Sequence, residues 1–81
     1  IENNNKKKTK HLLKIARDHG LLGWNLVNLE DESELSEASE CFKESQKHYK
    51  EILSYEPNNK DAQQGLQWSI DCLSQIPKNS F

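Results

Sequence analysis

Apolar residues in this chain recur every three or four positions in three stretches, separated by polar and turn-forming residues. That period marks helices that each bury one face. The clearest stretch runs from about Glu34 to Tyr55, with Leu35, Ala38, Phe42, Tyr49 and Ile52 in step and Ser45 filling the gap. A further stretch, Lys60 to Gln75, carries Ala62, Leu66, Ser69 or Ile70, and Leu73, with Ile76 just beyond. Pro57 ends the earlier of the two, because proline has no N–H for the helical ladder and disfavours helical geometry at Glu56. Asn58 and Asn59 suit a turn and can cap the next helix. Pro77 closes the last helix, and residues 78–81 read as a frayed tail.

The two stripes also match in register. In an antiparallel hairpin, residues at one height have numbers with a constant sum, here about 115. Ile52 then meets Ala62, Tyr49 meets Leu66, Ser45 meets Ser69 or Ile70, Phe42 meets Leu73, and Ala38 meets Ile76. Five apolar or small layers in register predict an αα-hairpin. Cys41 and Cys72 fall at nearly the same height, one residue off the seam, and read as small fillers beside the interface.

The pattern before the hairpin is looser. Leu12, Leu13, Ile15 and Ala16 form one stripe, and Leu22, Leu26 and Leu29 continue at helical spacing, with Trp24 and Val27 flanking. Gly20 and Gly23 interrupt them. Either a break falls at Gly20 as a left-handed cap, or one helix crosses both glycines at about 1 kcal/mol each relative to alanine. A continuous or mildly kinked helix from about Thr9 to Leu29 is the expectation. Residues 1–9, rich in Asn and Lys, read as a flexible basic lead-in. Residues 10–76 read as a single helical domain. The acidic run from Glu30 to Glu34 reads as a connection, with Asp31 or Ser33 as the N-cap of the next helix.

Composition narrows the class. The chain has 81 residues, 33% hydrophobic and 30% charged, with a net charge of -2. A core this small is marginal. The overall charge gives no general reason to bind nucleic acid or an anionic membrane. The basic lead-in has no interleaved aromatics, which leaves RNA binding through it, with Trp24 stacking on a base, a remote alternative. No apolar run approaches the roughly 18 residues that span a bilayer. The two cysteines and three histidines match no zinc spacing, and no nucleophile, base or phosphate loop stands at motif spacing. The expectation is therefore a non-enzymatic protein with no cofactor. Two well-separated cysteines fit reduced thiols, hence a cytoplasmic location, with a nuclear one as the alternative.

The turn and its flanks resemble the tetratricopeptide repeat, a helix–turn–helix unit that recurs about every 34 residues. His48-Tyr49-Lys50-Glu51-Ile52-Leu53 is similar to the end of that family's second helix, and Glu56-Pro57-Asn58-Asn59 to its inter-repeat turn. Ala62 and Leu66 are similar to the first helix of a succeeding unit, and Leu22-Gly23 with Leu26 to a preceding first helix. The pattern departs at Ser45 and Ile52, where smaller or different residues are usual. The span from Gly23 to Ser45 is also about ten residues longer than the repeat period allows. The resemblance covers one repeat plus one more helix, whose polar outer face, with Gln63, Gln64, Gln67 and Gln75, suits a cap. It implies a scaffold or co-chaperone type of module that binds a peptide or partner helix in a groove lined by first helices. The candidate contacts are Lys14 and Arg17 for a carboxylate, and Asn25 and Asn28 for a peptide backbone. Trp24 would line the groove or pack on the hairpin. Trp68, off the seam, would mark a contact surface if exposed. The alternative is a structural capping or self-associating domain of a longer helical protein.

Overall fold

The computed structural model describes residues 2–29 and 31–76. They form three α-helices, α1 (Glu2–Val27), α2 (Glu32–Tyr55) and α3 (Lys60–Gln75). The architecture is all-α, with α2 and α3 as an antiparallel hairpin and α1 packed against it. Glu30, read as part of the acidic connection, and residues 77–81, read as the closing proline and a tail, lie outside the described residues.

The hairpin has the expected ends. Asp31 caps α2 by accepting from the Ser33 backbone N–H at 2.9 Å, and the Ser33 hydroxyl also donates to it at 2.8 Å. These bonds hold the Asp31 carboxyl below its ordinary range. Asn59 caps α3 through the Ala62 N–H at 2.9 Å. The turn is tied by Asn59 N–H to the Glu56 carbonyl at 3.0 Å, and by the Gln63 amide donating to the Pro57 carbonyl at 2.8 Å.

Two clusters make the core. One joins Leu26, Leu35, Ala38, Cys41, Phe42, Cys72 and Ile76. The other joins Leu12, Ala16, Tyr49, Ile52 and Ala62, with Leu53 and Leu66 against it. The Ser layer lies between the clusters in sequence register. Ser45 and Ser69 are fully buried, and their hydroxyl oxygens are 3.0 Å apart. Between Ser69 and Ile70 the inward residue is therefore Ser69, and Ile70 is 41% exposed. Both thiols are buried and free, and burial pushes each above the ordinary cysteine value.

The first helix runs unbroken through Gly20 and Gly23, as expected, and departs from its expected form in two ways. It begins at Glu2 rather than near Thr9, and ends at Val27 with Asn28 and Leu29 in a turn. Lys8 donates to the Tyr55 hydroxyl at 2.7 Å with its ammonium over that ring, and the Thr9 hydroxyl donates to the Glu56 carboxylate. Thr9 is buried. These contacts fasten the start of α1 to the end of α2. Finally, the buried stripe is not Leu22, Leu26 and Leu29. It is Leu12, Ala16, Gly20, Gly23 and Leu26, while Leu22 and Leu29 are 48% and 63% exposed.

The glycines explain that switch. They lie on the buried face because aromatic rings from the other helices rest on them. A β-carbon at Gly20 would come within 2.6 Å of the Trp68 ring, and one at Gly23 within 3.1 Å of Phe42. Gly65 of α3 carries the Tyr49 ring in the same way.

Phe42 and Gly65 offer direct checks of this packing. Phe42, with no exposed surface, should lose about 3–5 kcal/mol on truncation to alanine, measured by urea denaturation. Gly65→Ala would normally stabilise an exposed helix site by about 1 kcal/mol. Against Tyr49 it should instead lower the denaturation midpoint.

Candidate functional site

Helical spacing puts Lys7, Lys10, Lys14, Arg17, Leu21 and Trp24 on one side of α1, three and four residues apart. This side faces α3 across an open groove. Lys7, Lys10, His11, Leu13, Lys14, Arg17, Asp18, Leu21 and Asp61 line its upper part, of about 680 Å³. Arg17, Leu21, Tyr49, Asp61, Gln64, Gly65 and Trp68 line the adjoining part, of about 350 Å³. A smaller recess of about 150 Å³ lies among Trp24, Val27, Phe42, Cys72, Gln75 and Ile76.

The groove has two chemically distinct halves. The upper half is cationic. Among the described residues Arg17 makes one ion pair, a loose 4.0 Å contact with Asp61 in which both side chains are about 60% exposed. Such a pair contributes at most about 1 kcal/mol and leaves Arg17 open to another carboxylate. The lower half shares Arg17, Leu21 and Asp61 with the upper and adds Gln64 and the Tyr49 and Trp68 rings, with Trp24 at the edge of the recess beyond. Trp24 and Trp68 have ring centroids 6.5 Å apart, and Trp68 meets Phe42 edge-on at 5.8 Å. Trp24 is 44% exposed and Trp68 39%. Each ring thus packs on one side and is open on the other.

Of the residues expected to bind, Lys14, Arg17, Trp24 and Trp68 come together along this groove or its lower recess. Asn25 and Asn28 are exposed but line neither the groove nor the recess. Lys7, Lys10 and Leu21 are additional members. Their spacing with Lys14, Arg17 and Trp24 is legible once the helix is known to start before Lys7. Asp61 and Gln64 join only because α3 folds beside α1, and nothing local to them in sequence points to the groove.

Among the described residues, no three His, Cys, Asp or Glu side chains are grouped to hold a metal ion, and no helix is long and apolar enough to cross a membrane. His19 and His48 lie with ring centroids 5.7 Å apart, with Glu44 3.8 Å from His48 Nε2. No family model, no curated protein and no solved structure matches this chain.

Gly20 gives the site a direct probe. Gly20→Ala should push the Trp68 ring outward, so tryptophan emission shifts to longer wavelength while helicity by circular dichroism is retained. The thiols give a second. With pKa values raised by burial, Cys41 and Cys72 stay neutral in the folded chain at pH values where they ionise when unfolded. Their contribution is complete below the unfolded value and lost as pH rises through the folded one. The urea midpoint should therefore fall as pH rises above about 9, and a Cys41→Ser, Cys72→Ser variant should show less of that fall.

Proposed function

We propose that this chain is a protein-interaction module that holds a peptide or partner helix in the groove between α1 and α3. The observation that carries the reading is the convergence on that groove. Four cations of α1 lead into an exposed pair of tryptophans drawn from two helices. Exposed aromatic rings backed by packed side chains supply contact area with little entropy loss, and they are enriched at binding hot spots. The cations add orientation and speed of encounter for a partner with carboxylates.

The order of elements supports a tetratricopeptide-like arrangement, with α1 and α2 as one helix pair and α3 as the first helix of the next unit or a cap. In that reading α1 and α3 line the concave side. The extra length between Gly23 and Ser45 is taken up by α2, whose 24 residues start at Glu32. The scaffold or co-chaperone role comes only from that resemblance.

Peptides selected from a displayed library against the chain provide the test. The expected result is micromolar binding with a change in tryptophan emission, reduced at least tenfold in a Lys14→Glu, Arg17→Glu variant. Both positions are exposed, so the helicity of the variant should be unchanged. Peptides that bind the variant equally well would remove the groove assignment. Binding of a uridine oligonucleotide, with no peptide recovered, would replace the peptide reading with RNA.

A further inference from the structure

We infer that the lower part of the groove is a site for a free α-amino acid with an apolar side chain. Arg17 takes its carboxylate, Asp61 its ammonium group, and Trp68 with Leu21 its side chain. The inference does not rest on the peptide reading, because Lys7, Lys10 and Lys14 take no part in it.

All three helices build this part of the groove. Asp61, Gly65 and Trp68 stand at i, i+4 and i+7 and form one wall along α3. Arg17 and Leu21, one turn apart on α1, form the facing wall. Tyr49 of α2 is the floor. Its ring lies against Gly65, where a β-carbon would overlap both the ring and the hydroxyl oxygen. The volume, about 350 Å³, is at the small end of the range for ligand pockets. By itself it has room for one amino acid.

The Tyr49 hydroxyl points to a ligand. Tyr49 is 4% exposed, yet its hydroxyl makes no hydrogen bond among the described residues. No fully buried polar side-chain atom among those residues lacks a partner, so this oxygen opens on the cavity. Burial pushes the phenol above its ordinary value, with Arg17 opposing and Asp61 adding to the rise. The hydroxyl therefore stays protonated at neutral pH and is a donor for an incoming oxygen.

Charge selects the ligand. Among the described residues two charged side chains line this part, Arg17 and Asp61, one of each sign. Their 4.0 Å contact is loose, and both remain largely exposed. An anion alone would meet Asp61, and a cation alone would meet Arg17. A zwitterion with both charges on one carbon satisfies the two together, and its carboxylate also accepts from Tyr49. Trp68 and Leu21 offer exposed apolar surface beside the pair.

Nuclear magnetic resonance titration of the whole chain with L-leucine decides it. Saturating shifts at the Gly65 amide and the Trp68 indole are expected, with a dissociation constant of about 1 mM or tighter. N-acetylleucine lacks the ammonium group and leucinamide the carboxylate, and each should bind at least tenfold more weakly. Asp61→Asn and Arg17→Gln should each weaken leucine binding by a similar factor. Both positions are exposed, so helicity should be unchanged. Tyr49→Phe removes the hydroxyl alone and should weaken leucine binding with no fall in the urea midpoint. Absence of saturation by about 20 mM leucine overturns the inference. So does equal binding of N-acetylleucine or leucinamide, or undiminished binding of leucine to Asp61→Asn and Arg17→Gln. Glucose giving the same saturating shifts also overturns it, because the pocket would then be reading ring hydroxyls and not paired charges.

Discussion

Ser45 is where the three helices meet, and the rest of the packing depends on it. Its hydroxyl donates to the Ala16 carbonyl oxygen of α1 at 2.7 Å. That uses its single proton, so Ser69 of α3 must be the donor in the 3.0 Å contact between the two hydroxyls. Ala16, Ser45 and Ser69 have no exposed surface. An unpaired hydroxyl here would cost about 1–3 kcal/mol, yet among the described residues no buried side-chain polar atom lacks a partner. Small side chains let the helix axes approach. The hydrogen bonds fix that approach at one height, because they cannot slide along the seam as methyl groups can.

Everything larger is arranged around that layer. Tyr49 lies one turn to one side of Ser45 and rests on Gly65. Phe42 lies on the other side and rests on Gly23, and Trp68 rests on Gly20. Rings set against glycines fill the space left where the backbones come close, which is how a core of few apolar residues reaches good packing. The groove is a product of the same geometry. Trp68 reaches across α1 because Gly20 offers no side chain, and its outer face is left beside Trp24. The binding surface and the stability of the centre therefore share residues.

The hairpin was legible in the sequence because its information is local and periodic. Pro57 ends one stripe, Asn59 caps the next, and the matched layers fix the register. The cap of α2 was legible as far as Asp31 or Ser33, and it is Asp31. The first helix was harder. Gly20 and Gly23 have low helix propensity, and without knowledge of the Trp68 and Phe42 rings they read as interruptions rather than as the buried face. The start of α1 was hidden because Lys8 and Thr9 are held by Tyr55 and Glu56, residues distant in sequence. Of the groove, the α1 row was half visible through Lys14, Arg17 and Trp24, while Asn25 and Asn28 fall outside it. The α3 side was visible only as an unplaced Trp68.

The central claim is that the small layer at Ser45 sets the approach of α1 to α3 and so brings the two tryptophans together. Nuclear Overhauser contacts between the Trp24 and Trp68 indole protons, in the wild-type chain and in Ser45→Leu, test it most directly. Contacts should be present in the wild type and lost in a variant that keeps its helices but cannot close the layer. Their absence in the wild type, or their persistence at full strength in Ser45→Leu, would contradict the account.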